Sequence, residues 1–502
     1  MDPALRPSRP ALVVAAPHSG SGKTIITLAL MAALKARGLG VQPFKVGPDF
    51  IDPGLHGRVT GRISRNLDGW ILSRAVNRAM FERWAGAADA AVVEGVMGLF
   101  DGYDGLSEAG STAEMAKWLG LPVLLVVDAR SMARSAAALV LGFTRFDPDL
   151  TFAGVVFNRV GSPGHLEYLN QAMRQSLPDL PVFGGIPRDP RLELAERHLG
   201  LVTAEETRLT PEHQRDLAEI IERHLDLDRL LGVSRRSSEQ ASEPAREMRP
   251  ISAPAAAADR AAAPVVIAVA RDEAFCFYYQ DNLDLLAEQG AELITFSPLR
   301  GDRLPPDASA LYLGGGYPEV HAERLAANQT LLRQLRDAAA RGLPIYAECG
   351  GLMTLSRFIE TAPGRRRPMA AVLPFGTRML ERRKALGYTE VELLAPTPIG
   401  PPGLKIRGHE FHYSEIVAGA ADTNADPVAD PSAAVDSGAD PAAGLIRAYR
   451  IQARSGRAVP PEGYLSGSVL ASYVHLHWGS APQAAAHFVA HARAWRERNR
   501  RR

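Results

Sequence analysis

Short apolar runs, each broken by a polar or glycine-bearing turn, recur through the first half of the chain. They fall at residues 11–16 (ALVVAA), 90–93 (AAVV), 122–127 (PVLLVV) and 153–157 (AGVVF). Unbroken runs rich in valine and leucine are the mark of strands buried on both faces. Helical stretches between them, such as 24–37, predict parallel strands covered by helices. At 234–263 the pattern stops. That stretch (SRRSSEQASEPAREMRPISAPAAAADRAAA) is rich in Ser, Pro, Ala and charge without an apolar period, and predicts an interdomain linker. The strand-like runs resume at 265–269, 291–296, 309–313 and 343–347, with a helix expected at about 321–341. Residues 418–444 are low-complexity and acidic, an insertion to which no chemistry is assigned. The expected fold class is α/β: two doubly wound, mostly parallel-sheet domains at 1–233 and 264–502, joined by the linker. Sheets of this kind bind ligands at the carboxyl ends of their strands.

Composition narrows the partners. The 502 residues carry 57 Lys and Arg against 56 Asp and Glu, a net charge of +1, which leaves no basic field for nucleic acid or an anionic membrane. No run approaches the roughly 18 apolar residues of a membrane helix, and the start lacks the apolar region of a signal peptide. Two cysteines, Cys276 and Cys349, exclude a disulfide framework and a cysteine-based zinc site and fit a reducing cytoplasm. Only six lysines occur, which draws attention to Lys23 and Lys45.

Residues 11–24, ALVVAAPHSGSGKT, run from a strand through a small-residue loop into a helix, the context a P-loop requires. Amides of Ser19, Gly20, Ser21 and Gly22 would face phosphates, Lys23 would reach the β and γ groups, and the Thr24 hydroxyl would ligate Mg²⁺. Pro17 stands where the strict pattern has glycine. Acidic partners follow: Glu94 at a strand end in AAVVEGVMGLFDG, and Asp101 on the glycine-flanked loop beyond it. FKVGPDFIDPGLH (44–56) puts Lys45, Asp49 and Asp52 on a Gly/Pro-broken loop after a short strand. There, binding chemistry and simple turn capping weigh equally.

LPIYAECGGLMTLSRF (343–358) reads as strand, sharp turn and helix with Cys349 at the apex, a nucleophile elbow. The amide of Gly350 can donate to an oxyanion, and the Gly314-Gly315-Gly316 loop can supply a second donor. A thiolate nucleophile needs a histidine. His475 and His477 in ASYVHLHW alternate in a β-like stretch, so one of them can face Cys349; His409 and His412 are weaker candidates. Cys276 has no elbow around it and reads as packing.

Together and in this order, APHSGSGKT, FKVGPDFIDPGLH, VVEGVMGLFDG, ARDEAFCFYY, YLGGGYPE, AECGGLM and SYVHLHW resemble the cobyrinate (hydrogenobyrinate) a,c-diamide synthase family over nearly the full chain. The resemblance implies a dethiobiotin-synthetase-like ATP-binding domain followed by a class I glutamine amidotransferase domain. It implies glutamine hydrolysis at Cys349 with His475 as base. It also implies an acyl phosphate made from ATP·Mg²⁺ on the a and c acetates of a corrinoid, and amidation by internally delivered ammonia. It assigns Lys23 and Thr24 to the P-loop, Thr24, Asp52 and Glu94 to the metal, and Asn158 to adenine. Lys45, Asp49, Phe50 and Asp101 are assigned to the substrate end, and Gly315, Gly316 and Gly350 to the oxyanion. Ordinary class I amidotransferases carry a glutamate where His477 stands, so what orients His475 stays open. A homodimer suits the family. The alternatives are the nickel-sirohydrochlorin a,c-diamide synthase, cobyric acid synthase, and a P-loop switch ATPase fused to an inactive amidotransferase-like domain.

Overall fold

Seven strands of the first unit, β1 (Ala11–Ala15), β2 (Val41–Val46), β3 (Arg65–Leu67), β4 (Ala90–Glu94), β5 (Val123–Asp128), β6 (Phe152–Val160) and β7 (Val182–Pro187), form one sheet in the order β3-β2-β4-β1-β5-β6-β7. All its pairings are parallel. The computed structural model describes residues 9–193, 209–240, 264–361, 365–418, 440–453 and 460–500. It divides into two units, Met1–Ile251 and Ser252–Arg502. Helices α1 (Lys23–Ala36), α2 (Ile51–Thr60), α3 (Arg74–Ala85), α4 (Thr112–Leu119), α5 (Arg134–Phe146), α6 (Pro163–Ser176), α7 (Pro211–His224) and α8 (Leu227–Gln240) accompany this sheet. The central strands β1, β4 and β5 are buried on both faces, which is why their residues are apolar without alternation. Glu94 stands opposite Val14 in one neighbour and Lys45 in the other, so the carboxyl ends of β1, β2 and β4 meet at one edge.

Two expectations shift. Asp52 lies in the first turn of α2 rather than on a loop. Asp49 accepts at Oδ1 from the amides of Ile51 (2.7 Å) and Asp52 (3.2 Å), and a proline in a first helical turn has no amide bond to lose. The stretch assigned to the linker begins inside α8, where Leu227, Leu230, Leu231 and Ser234 form a buried stripe at helical spacing. Residues 241–263 lie outside the described residues.

The second unit contains β8 (Val265–Ala270), β9 (Ala291–Phe296), β10 (Ala308–Leu313), β11 (Ile345–Glu348), β12 (Phe358–Thr361), β13 (Arg365–Pro368), β14 (Gly376–Met379), β15 (Ala385–Leu393), β16 (Lys405–His412), β17 (Ser414–Val417), β18 (Ile446–Ala453), β19 (Glu462–Ser466), β20 (Val469–Ser472) and β21 (His475–Leu476). Its helices are α9 (Gln280–Glu288), α10 (Ala322–Ala327), α11 (Gln329–Ala340), α12 (Gly350–Leu355) and α13 (Gln483–Arg500). A ten-stranded sheet runs β21-β16-β15-β18-β19-β20-β11-β10-β8-β9. Its β9-β8-β10-β11-β20 half is parallel, as the apolar runs predict. From β20 to β21 it continues antiparallel. In β15 and β16 buried positions alternate with exposed or half-buried ones, so continuous apolar runs do not mark them. A separate sheet, β13-β12-β14-β17, completes the unit. The helix expected at about 321–341 is two helices broken at Asn328. The Asn328 side chain accepts from the Leu331 amide (3.2 Å), capping α11, and donates to the Pro298 carbonyl (3.0 Å). Most of the acidic insertion, 419–439, lies outside the described residues.

Candidate active sites

The loop between β1 and α1 is shaped from behind. Gly22 caps α1 at φ 94°, a left-handed angle suited to glycine, and a Cβ there would stand 2.2 Å from Asn158 Nδ2. Asn158, at the end of β6, donates to the Ser21 carbonyl (2.9 Å) and accepts from the Arg159 amide (2.9 Å). Arg159 in turn donates to the Gly20 carbonyl (2.9 Å) and to Asp128 (2.6 Å). Asn158 is only 4% exposed. The structure thus engages it with the loop backbone, leaving one amide hydrogen and one carbonyl lone pair for the adenine edge to which the resemblance assigned it. Ser19 and Gly20 face solvent, and Pro17, in place of a glycine, does not disturb the strand–loop–helix path.

Lys23, the first residue of α1, is buried and donates to the Met97 carbonyl. Burial, and then the neighbouring Lys45 ammonium, lower its pKa. Thr24 donates to Glu94 (2.6 Å) and lies 3.5 Å from Asp52 Oδ2. Lys45 sits between the same two carboxylates, 2.5 Å from Asp52 and 3.1 Å from Glu94, with the Gly95 carbonyl at 3.2 Å. Its three N–H bonds are all engaged, and Lys45 lies within β2 rather than on the loop expected from sequence, as part of the carboxylate cluster. Burial alone would favour the neutral amine, but Asp52 and Glu94 outweigh it and keep Lys45 charged. Burial works against the Glu94 charge as well, yet Lys45, His56 and Thr24 hold that carboxyl well below its usual range.

His56 is the residue that sequence reading passed over. It is fully buried, sets Nε2–H on Glu94 (2.7 Å) and bonds the Ser64 hydroxyl at Nδ1 (3.1 Å). Its only sequence signal is its place six residues after the phenylalanine of PDFIDPGLH. Of the other residues placed at the substrate end, Asp49 caps α2, Phe50 is half-buried, and Asp101 accepts from the Gly98 amide (2.9 Å) at an exposed loop. The oxygens of Thr24, Asp52 and Glu94 fit Mg²⁺, which takes one or two carboxylates and completes its shell with phosphate and water. Among the described residues no group of three or more His, Cys, Asp or Glu side chains forms a metal site on its own.

In the second unit Cys349 joins β11 to α12 at φ 46°, ψ −101°, a strained backbone for a residue with a side chain. Small neighbours permit it. A Cβ on Gly351 would fall 2.3 Å from the Leu313 carbonyl, and one on Gly350 would fall 2.9 Å from Pro318. The Cys349 amide donates to the Ser472 carbonyl (2.7 Å), which ties the elbow to β20. Burial, and then Glu319, push the thiol pKa up; the Gly350 amide works the other way.

The structure narrows the oxyanion donors. Gly315 donates its amide to the Phe277 carbonyl (3.1 Å) and Gly314 to the Tyr278 hydroxyl (2.8 Å). Gly315 is therefore corrected from donor to spacer: a Cβ on it would stand 2.3 Å from His475 Cε1. Gly316 lies beside the elbow, its amide nitrogen 3.2 Å from where a Gly350 Cβ would be.

His475 is buried, with its ring stacked on His409 at 5.0 Å between centroids and 15° between planes. His409 accepts or donates at Nδ1 with the Tyr279 hydroxyl (2.7 Å), and its pKa is pushed well down by burial and then by His475. His477 caps its own turn by accepting from the Gly479 amide (3.1 Å), and burial lowers its pKa to about 3. His412 bonds Glu410 (2.9 Å) and the Ser414 carbonyl (2.7 Å) and stacks on Tyr473. Cys276 is half-buried with its sulfur 3.9 Å from the Glu273 carbonyl. No helix among the described residues is long and apolar enough to cross a membrane.

Residues 12–202 match the CobQ/CobB/MinD/ParA nucleotide binding domain family, and residues 266–483 the CobB/CobQ-like glutamine amidotransferase domain family. The cobyrinate a,c-diamide synthase of Syntrophotalea carbinolica is 48% identical over 96% of this chain and 98% of its own length. That of Salmonella typhimurium is 41% identical over the same shares. That of Archaeoglobus fulgidus is 40% identical over 96% of this chain and 97% of its own. With both domains matched and full-length relatives far above chance similarity, this chain belongs to the cobyrinate a,c-diamide synthase family.

Proposed function

We propose that the protein is an ATP- and glutamine-dependent ligase that converts the a and c acetate carboxylates of cobyrinate or hydrogenobyrinate to amides in cobalamin biosynthesis. The observation that carries this reading is the end-to-end similarity to synthases of that name. The reading places it in the cytoplasm, with a small-molecule corrinoid as partner and a homodimer as its assembly.

At the first site, amides of residues 19–24 and the Lys23 ammonium hold the ATP phosphates. Thr24, Asp52 and Glu94 would hold Mg²⁺, which would supply charge neutralisation for those phosphates. Lys45 and His56 fix the two carboxylates in place. Transfer of the γ-phosphoryl group to a corrinoid carboxylate turns a poor leaving group into a good one. At the second site, the proton of Cys349 passes to His475 and sulfur attacks the glutamine carboxamide. The Gly316 and Gly350 amides stabilise the oxyanion, and ammonia leaves with a thioester behind it. Ammonia delivered internally displaces phosphate to give the amide, and water hydrolyses the thioester to glutamate.

The test is mass spectrometry of products formed from ATP, Mg²⁺, glutamine and, separately, cobyrinic acid, hydrogenobyrinic acid and nickel-sirohydrochlorin. Two successive carboxylate-to-amide changes on one of the first two support the reading. Amidation of the nickel compound alone overturns the substrate.

A further inference from the structure

The strand that delivers the nucleophile ends on an acid. Glu348, the last residue of β11 and the neighbour of Cys349, is fully buried. Its Oε1 accepts from the Tyr346 hydroxyl (2.6 Å) and the Leu476 amide (3.0 Å), and its Oε2 accepts from the Tyr312 hydroxyl (3.0 Å). Burial, and then Glu348 itself, push both phenols well above their ordinary pKa, so they remain donors. A buried carboxylate is expensive to keep even when bonded, and an apolar side chain would fill a strand end equally well. Something else calls for an acid here.

Oε2 of Glu348 lies 3.8 Å from Nδ1 of His475. The Leu476 amide that bonds Glu348 belongs to the residue after His475, so backbone and side chain of β21 approach the same carboxylate. His409 stacks against the face of the His475 ring, and Gly315 gives it room at Cε1. The ring is confined on these sides, with Nδ1 towards Glu348.

We propose that Glu348 is the carboxylate partner of His475, a positioning residue that fixes the imidazole through Nδ1 and stabilises the imidazolium formed when the ring takes the proton of Cys349. It would do from the strand before the nucleophile what ordinary class I amidotransferases do from the position held here by His477. The proton stays on the imidazole. A separation of 3.8 Å is beyond a hydrogen bond, and such contacts commonly tighten when substrate arrives. The inference rests on the assignment of Cys349 and His475 proposed above. The other groups facing this pair are His409 and Glu410 of β16 and Glu319 of the loop after β10.

The experiment is the pH profile of glutaminase kcat/KM, from about pH 5 to 9, for the full chain and for Glu348→Gln, Glu348→Asp and His475→Asn. Loss of the carboxylate lowers imidazolium stability. Glu348→Gln should therefore keep the glutamine KM within about threefold, cut kcat by about 10²–10⁴-fold, and move the acidic limb down by about one pH unit. Amidation driven by added ammonia should persist in that variant. An unmoved acidic limb, or equal loss with glutamine and with ammonia, overturns the proposal. If Glu348→Gln fails to fold, Glu348→Asp decides. It should lower kcat at least about tenfold with the limb in place, and wild-type kcat overturns the proposal. If His475→Asn keeps glutaminase activity, the assignment of His475 itself falls. If His475→Asn is inactive and Glu348→Gln is normal, only the role of Glu348 falls.

Discussion

Around Glu94, a lysine ammonium, a histidine N–H and a threonine hydroxyl converge on carboxylates within 3.1 Å before any ligand arrives. Around Cys349 the surroundings are acidic and apolar: Glu319, Glu348 and Glu410 face a thiol that burial already keeps protonated. Each arrangement suits the ligand proposed for it. A site for a nucleotide and a metal must accept several charges at once, and a prearranged cluster minimises reorganisation when they bind. A site for a neutral carboxamide needs a charge only transiently, so it stores a protonated nucleophile, a strained elbow and a nearby base.

This contrast can be broken most severely at the nucleophile. Cys349→Ala should lower glutamine-dependent amidation by about 10⁴-fold or more while ammonia-dependent amidation continues, measured by product formation with each nitrogen source. Loss of both would make the residue structural. Lys23→Ala should do the reverse, cutting ATP-dependent amidation by about 10²–10³-fold and leaving glutaminase activity in place.

A third prediction concerns Glu462, the buried acid of β19 that accepts from Ser472 and from the Tyr473 amide beside the elbow. Burial lifts its pKa from 4.5 to about 7. Between those values the folded chain holds a proton that the unfolded chain has lost, so folding stability falls as pH rises from 4.5 through about 7 and then levels. Glu462→Gln should remove that loss, gaining about 3 kcal/mol relative to the parent between acid and mildly alkaline pH in denaturant titrations. Smaller still, Gly22→Ala should weaken binding of an ATP analogue by about tenfold in calorimetry, because its left-handed backbone is strained and its methyl meets Asn158. Deleting 420–440 should leave turnover nearly unchanged, since that composition offers no chemistry.

The parallel strands, the P-loop and the elbow were legible because their signals are local: continuous apolar runs, glycines at fixed offsets, a cysteine at a strand end. What escaped depends on long-range register. His56 meets Glu94 only because α2 returns beneath the end of β4, and Glu348 meets His475 only because β11 and β21 both close on the elbow. Lys45 lies in β2 rather than on the expected loop, and the two acids that surround it come from separate segments that the local pattern does not join. Gly315 was read as a donor because its hydrogen bond to Phe277 joins segments 38 residues apart. The antiparallel half of the second sheet lacks the continuous apolar runs that mark buried strands.

The protonated resting state of Cys349 also bears on chemical durability. Peroxides and alkylating reagents attack thiolates far faster than thiols. The proposed nucleophile, its thiol kept protonated by burial behind a 6% exposed surface, is shielded from such damage between turnovers. Iodoacetamide should accordingly label half-buried Cys276 before Cys349 in the absence of glutamine.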